Sequence, residues 1–479
     1  MRNKQEGSIT KDSSAVLLSQ EEAIQSAQVS NTNKKNEKIG FGKMFFWQSR
    51  AISLGCNMLI MGFLSIYCTD TLKMPAALVG TLLMASKLCD GLIDLLAGYL
   101  VDKTNTKIGR GRPYELCIIG VWIFTMLMFS CPPGLSIFVK SAWIFMMYVF
   151  ANSIFATFLN VSNTVYMVRA FSRQEDYVAV SSYGSLIVIL FVVAFNVSFP
   201  MAMAKLAISA GGWRALIAIY AIPLLLIGLL RFIMIKETND VDSATSEKIR
   251  MKDVFTLLKT NHYIYVVAVM VFVFNFITNM GVGTYYYTYI VKNIALMGPI
   301  ALTNIVVLPI LFLFPPIIKK FSTTKLMIAG LFISCIGYVI NFIALNNFGL
   351  LVLGSILVGA GNVPISMLSA LMIIDCADYN EWNGRPRMEG TLGCVTGFTT
   401  KIGAALGTGV MGVLLGFSGY TGDISTQPDS ALFMIRLLFS IIPIVLYAVV
   451  AFILTFYKLD NLIPQIRKDN EERRKQFLH

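Results

Sequence analysis

The chain has 479 residues, of which 56% are hydrophobic and only 14% charged, fewer charges than the surface of a soluble domain of this size needs. Its net charge of +12 would suggest nucleic acid in a soluble protein. No basic run is interleaved with aromatics, however, and the lysines and arginines gather between apolar segments, as in the cytoplasmic loops of membrane proteins. The composition therefore predicts a polytopic membrane protein with no nucleic-acid partner, and excludes a large soluble domain hung on one span. The eight cysteines lie mostly within or at the ends of apolar segments and form no CxxC, so they read as packing residues rather than disulfides or a zinc site.

In chain order, residues 1–43 are rich in Ser, Gln, Asn and Lys and lack a signal-peptide core, which predicts a disordered cytoplasmic tail. Twelve segments then approach the roughly 20 apolar residues that a spanning helix needs. They cover residues 44–68, 76–100, 114–132, 141–166, 177–200, 213–235, 262–290, 298–318, 326–345, 349–373, 391–417 and 431–457. Basic residues concentrate after the second span (Lys103, Lys107, Arg110, Arg112), after the fourth (Arg169, Arg173), after the eighth (Lys319, Lys320, Lys325) and in the tail 458–479. Both termini are expected in the cytoplasm. The polar stretch 236–261 divides the spans six and six. The expected fold is all-α, with twelve transmembrane helices in two six-helix bundles, 44–235 and 262–457, joined by a cytoplasmic central loop. This is the major facilitator layout, in which substrate binds between the bundles near mid-depth. A monomer in a bacterial inner membrane is expected.

The second span contains "KLCDGLIDLLAGYLVDK". Lys87, Asp90 and Asp94 are spaced i, i+3, i+7 and share one helix face. A charge at mid-bilayer costs about 2.5–3.5 kcal/mol on insertion scales, so this face is expected to point into the bundle. Two carboxylates beside a cation suit a site for Na⁺ or H⁺. The plain alternative is a structural Lys87–Asp90 pair, which leaves Asp94 without a role. Lys401, near the middle of the eleventh span, is either a counter-ion across the bundle or the link between cation and substrate sites.

Two stretches carry a family resemblance. "DGLIDLLAGYLVDKTNTKIGRGRPYEL" and "DCADYNEWNGRPRMEGTLGCVTGFTTKIGAALG" resemble the second span with its loop, and the loop 10–11 with span eleven, of the glycoside–pentoside–hexuronide:cation symporters, melibiose carrier-like members of the major facilitator superfamily. Fainter echoes are "YCTDTLKMPAALVGTL" and "NFITNMGVGTYYYTYIVKN". The resemblance implies cation ligation by Asp90, Asp94 and Thr157, with Lys401 beside them. It also implies a charged cytoplasmic gate from Asp102, Arg110 and Arg112 in loop 2–3 and Asp375, Asp378, Tyr379, Glu381, Arg387 and Glu389 in loop 10–11. Lys87 is grouped with that gate. Well-studied sugar carriers of the family have an aspartate in span one, another late in span four and an arginine in span five. Here Ser53 or Leu54, then Asn160, then "SSYGSLIV" stand instead, and Ile93 replaces the asparagine often found before the second cation-site aspartate. The cation half of the site is kept and the sugar half altered.

Candidate substrate contacts are Asn57, Asn160, Asn275, Asn279, Tyr285, Asn362 and Lys401, each alternatively a helix–helix hydrogen bond. Trp122 and Trp143 are candidates to stack a sugar ring or to anchor at the interface, and Arg50 is a candidate cation for a uronide. The expected function is a Na⁺- or H⁺-coupled symporter importing a sugar or glycoside (oligosaccharide, pentoside or uronide) by alternating access, with no cofactor beyond the coupling ion. A lysolipid or amphiphile carrier, or an uncoupled facilitator, is the alternative. An enzyme is not expected, since His262 and His479 are the only histidines and no nucleophile–base constellation is evident.

Overall fold

A computed structural model describes residues 40–104, 106–171, 174–237, 261–303, 321–385, 389–422 and 426–477. Residues 1–39 of the expected tail, nearly all of the central loop 236–261 and most of the eighth span lie outside the described residues. The first half comprises α1 (Phe41–Met61), α2 (Ala76–Lys103), α3 (Cys117–Met128), α4 (Ile137–Tyr148), α5 (Thr157–Ala170), α6 (Gln174–Leu206) and α7 (Ala210–Met234). The second comprises α8 (Tyr263–Asn279), α9 (Gly283–Tyr285), α10 (Met297–Leu302), α11 (Thr323–Ala344), α12 (Phe348–Trp382), α13 (Glu389–Phe417), α14 (Asp429–Arg436) and α15 (Ile442–Leu454), followed by a tail helix α16 (Leu459–Phe477). The expected C-terminal tail 458–479 is thus largely helical.

Among the described residues, ten helices are long and apolar enough to cross a membrane. Two of the twelve expected spans fall outside that set: α3 is only 12 residues long, and the eighth is described only at its start, α10. The outward faces carry large exposed apolar side chains, among them Ile219, Leu226, Phe332, Ile343 and Phe452. Such a surface suits hydrocarbon rather than water. Lipid gives helices no hydrophobic reason to associate, so close packing of small residues matters more. Gly330 on α11 lies so near Gly361 on α12 that an added Cβ would come within 2.6 Å of the Gly361 carbonyl oxygen.

The two halves repeat one another at the end of the helices away from the termini. "YCTDTLK" (67–73) closes the first span and "YYTYIVK" (286–292) the seventh, each through a π-helical turn, Tyr67–Thr71 and Tyr286–Ile290. Both turns end at a lysine in the left-handed region, Lys73 at φ 58° and Lys292 at φ 59°, uncommon for a side chain other than glycine. The Tyr67 hydroxyl donates to the carbonyls of Phe129 (3.0 Å) and Cys131 (3.4 Å) at the end of the third span. The Tyr286 hydroxyl donates to Asn341 (3.0 Å) and Leu345 (3.3 Å) at the end of the ninth. Equivalent residues make equivalent bonds, as parallel repeats require.

A buried charged cluster holds the first half together near the terminal end. Glu115 faces Arg50 at 3.8 Å and Arg231 at 3.5 Å, both guanidiniums reach Asn163 Oδ1 at 2.8 and 2.9 Å, and Arg231 stacks 3.4 Å from the Trp47 ring centre. Pairing of this kind is what lets charges persist inside a bundle. Trp122, fully buried, donates to Ser53 Oγ at 2.8 Å, while Trp143 donates to the Leu127 carbonyl at 3.0 Å.

Candidate functional site: a charged cavity between the two halves

Helices α2 and α13 run antiparallel across the interface, and their glycines set how closely they meet. At the Asp70 end they interlock: a Cβ on Gly80 would lie 2.7 Å from Gly412 Cα, one on Gly409 2.6 Å from Met84 Sδ, and one on Gly416 2.8 Å from Ala77 Cβ. At the terminal end, a Cβ added to Gly98, Gly393 or Gly397 would meet nothing within 4 Å. The helices therefore pack tightly at one end and diverge at the other. Gly298 at α10 presses on Val197 of α6 in the same sense, with an added Cβ 2.7 Å from the Val197 carbonyl.

The Asp70 end is sealed by polar bonds as well. The Asp70 carboxylate accepts from Tyr289 at 2.6 Å, from Tyr420 and from Thr69 at 2.7 Å. Thr69 also meets the Tyr285 hydroxyl at 3.1 Å, and Lys73 donates to the Gly422 carbonyl. The first, seventh and eleventh spans are thereby tied together. The Y-x-T-x-x-x-K repeat marks its first- and seventh-span segments, inside the two stretches noted above as fainter family echoes.

Where the helices diverge, a cavity of about 780 Å³ opens between the halves. Its polar side carries Lys87, Asp90, Asp94, Asn152, Thr157 and Asn160 from the first half, and Asn279, Lys401 and Thr408 from the second. Met58, Met61, Leu64, Leu83 and Met280 make an apolar side. Lys401 forms an ion pair with Asp94, their side chains 32% and 39% exposed, so solvent reaches the pair. The same ammonium donates to the Asp90 carbonyl at 3.3 Å. Thr157 donates to Asp94 at 3.2 Å and Ser153 to Asp90. Ser153 and Asn152 lie on a π-helical turn, Val149–Ala156, joining α4 to α5. An extra residue in a helical turn is a common device at functional sites, and here Ser153 and Thr157 both face the α2 carboxylates. Sequence reading placed Asp90, Asp94, Thr157 and Lys401 in one site, and the structure brings these four together. Ser153 and Thr408 went unnoticed, because isolated hydroxyls in apolar runs carry little signal.

The expected substrate contacts divide. Asn160 and Asn279 line the cavity, as Lys401 does. Asn57 instead donates to Thr125 at 2.9 Å. Asn275 donates within its own helix to Val271 at 2.9 Å. Tyr285 belongs to the Asp70 knot, and Asn362 accepts from Tyr447 at 3.0 Å inside the second half. Arg50 belongs to the Glu115 cluster and Trp122 to the first-half core, away from the cavity lining.

Several of the expected gate residues make bonds within their own half. Lys87 was expected with the cytoplasmic gate, but it projects into the cavity, donating to Thr408 at 2.7 Å, Asn279 at 3.4 Å and the Ala404 carbonyl at 3.5 Å. Its position seven residues before Asp94, toward the sealed end, dictates this. In loop 2–3 the backbone N–H groups of Arg110, Gly111 and Arg112 donate to the Glu237 carboxylate at 2.9, 2.8 and 2.7 Å. The turn needs Gly109, at φ 127° and with no room for a Cβ beside Glu237. The Arg112 guanidinium donates to the Phe232 carbonyl at 2.9 Å. In the second half Arg467 of α16 pairs with Asp375 at 2.9 Å and Asp378 at 3.0 Å, with Glu381 one turn further along α12. Arg387 lies outside the described residues, as do the side chains of Asp102 and Glu389. Arg467→Ala is expected to loosen α16 by about 1 kcal/mol, a modest effect because Arg467 is half exposed. Faster amide exchange confined to α16 and the end of α12 is the measurement that checks it.

Residues 51–461 match a family model described as MFS/sugar transport protein. The chain is 26% identical over 438 residues to the isoprimeverose transporter of Lactiplantibacillus pentosus, covering 88% of this chain and 90% of that protein. It is 28% identical to the uncharacterized symporter YnaJ of Bacillus subtilis, covering 88% and 92%. Among solved structures, a bacterial homologue of the human lysosomal transporter Spinster, inward-facing and unoccupied, superposes with a TM-score of 0.62 at 12% identity, over 88% of this chain and 97% of that one. That likeness speaks to fold alone.

Proposed function

We propose, on the premise that the chain belongs to the MFS/sugar transport protein family, that it is a symporter driving sugar or glycoside import with a Na⁺ or H⁺ gradient. The observation that carries this reading is the Asp94–Lys401 pair with Asp90 beside it, inside a cavity walled by both halves and sealed at the Asp70 end. An ammonium already occupies the carboxylate that a coupling cation would take. Cation and Lys401 then compete for Asp94, and the winner decides the charge that the second half presents to the substrate. Binding of cation and sugar is linked, each raising the affinity of the other. The polar side of the cavity offers amide and hydroxyl partners suited to sugar hydroxyls, which favours a sugar over a lysolipid. Alternating access follows from the interlocked glycines at one end and open space at the other. Closing the open end requires α2 and α13 to pivot about the Lys87–Lys401 level. We place the protein in a bacterial inner membrane as a monomer with both termini cytoplasmic, the side on which the cavity is open.

The test is uptake into vesicles containing the purified protein, with labelled glycosides, pentosides and uronides under an inward Na⁺ gradient, an inward H⁺ gradient, or neither. Accumulation above equilibrium under one gradient names the ion and the substrate class. Equilibration indifferent to both gradients would reduce the protein to a facilitator. Thr157→Val should weaken the cation by about 10- to 100-fold, the usual worth of one hydrogen bond to a charged group, read as a shift in the cation concentration that half-activates uptake.

A further inference from the structure

Most polar groups lining the cavity are already engaged. Ser153 donates to Asp90 and Thr157 to Asp94. Thr408 and Asn279 accept from Lys87, and Thr278 donates back to the Phe274 carbonyl at 2.8 Å. Besides Asn160, three lining groups are left: Ser65 near the end of the first span, Tyr148 at the end of α4, and Asn152 one turn further on. Tyr148 and Ser65 are only 6% and 7% exposed. Among the described residues neither hydroxyl has a hydrogen-bond partner, yet neither oxygen is sealed from the cavity. Asn152 donates only to the Met61 thioether, at 3.6 Å, a weak acceptor. Ser65 lies one turn beyond Met61 toward the Asp70 end, and Tyr148 one turn from Asn152 in the same direction. The Asn152–Met61 contact therefore brings all three into one stretch of wall.

Polar groups buried this deeply normally find partners. Here two hydroxyls and an amide stand together on a wall whose other members, Met61 and Leu64, are apolar. A few placed hydrogen-bonding groups on an apolar wall make a site for a small neutral molecule, and a tyrosine adds a flat apolar face with a polar tip. We infer that Ser65, Tyr148 and Asn152 form a sugar subsite on the Asp70 side of the ion pair, with Tyr148 and Asn152 as specificity-determining residues that each bind a substrate hydroxyl. This deepens the proposed symport and rests on it. No charged side chain belongs to the subsite, so it is distinct from the proposed cation site. All three residues belong to the first half. The subsite therefore stays assembled when the halves part, whereas the Asp94–Lys401 and Lys87–Thr408 contacts cross the interface. It supplies hydroxyl partners in a chain with Ser53 and Leu54 where an aspartate would stand in the first span.

The experiment uses Tyr148→Phe, Asn152→Leu and Ser65→Ala, which remove polar atoms and keep most of the shape. The probes are labelled methyl glucoside, methyl xyloside and methyl glucuronide in the same vesicles, with the monodeoxy analogues of each one that wild type accumulates. Each substitution is expected to raise the KM for that sugar about 2- to 10-fold, the range for losing one neutral hydrogen bond. The cation concentration that half-activates uptake at saturating sugar should stay unchanged. For Tyr148→Phe and Asn152→Leu the loss should vanish with the one deoxy analogue that lacks the hydroxyl bound there, a result that a purely structural role would not produce. Unchanged KM values in all three variants, or a loss equal for every analogue, overturn the subsite and leave sugar symport standing. Accumulation of none of the probes by wild type, under either gradient, overturns the symport reading together with this one. Should Asn152→Leu fail to fold, Tyr148→Phe and Ser65→Ala still decide the question.

Discussion

Replacing Asp94 by Asn should abolish cation-driven accumulation of substrate. Asp94 holds the Lys401 ammonium and accepts from Thr157, so it is the point where the second half grips the proposed cation site of the first. An amide in its place keeps the shape and removes the charge. Lys401 then has no cation to compete with, and occupation of the site no longer changes what the second half presents to the substrate. Coupled sites in proteins typically change one another's affinity about 5- to 150-fold. In Asp94→Asn that factor is expected to fall to one. Substrate binding measured by calorimetry with and without the cation reads it directly, and uptake under a gradient reads its consequence. A variant that still responds to the gradient would reduce the Asp94–Lys401 pair to a structural staple.

Gly80→Leu is expected to hold the protein open at the Asp70 end. An added Cβ alone would stand 2.7 Å from Gly412 Cα and 2.9 Å from the Gly409 carbonyl oxygen. These neighbours are backbone of α13 and cannot swing aside. Overpacking of this kind costs about 1–3 kcal/mol or more, and the penalty falls only on the conformation in which α2 and α13 touch. The populations should therefore shift by about 5- to 150-fold toward the opposite-facing state. Distances between spin labels on the two halves, one pair at each end, would show lengthening at the Asp70 end and shortening at the terminal end. An unchanged distribution would mean that the glycine contact does not control closure. The same substitution at Gly98, where a Cβ meets nothing within 4 Å, serves as the control for loss of a glycine in α2.

Much of this molecule was legible from one-dimensional pattern. Apolar runs near bilayer length, broken by basic loops, specify spanning helices without knowledge of their neighbours, because lipid imposes one requirement on every segment. The i, i+3, i+7 spacing of Lys87, Asp90 and Asp94 fixed their common face for the same reason: helical geometry is local. Lys401 stood out because a charge in an apolar run is expensive wherever it packs.

What each charge touches was a different matter. Lys87 reads as a companion of Asp90, yet it reaches Asn279 and Thr408 on two helices of the other half. The acidic residues of loop 10–11 read, with loop 2–3, as one charged gate; Asp375 and Asp378 take Arg467 from a tail helix, and loop 2–3 folds onto Glu237. Asn57, Tyr285 and Asn362 have the right chemistry for a sugar and spend it on other helices. The sequence by itself determined the membrane class, the spans with strong apolar runs and the charged face of the second helix, because those follow from local periodicity and the cost of charge in lipid. Only the tertiary structure decided which end is sealed, which polar groups face the cavity and which partner each charge takes, because these depend on how closely backbones from distant parts of the chain approach.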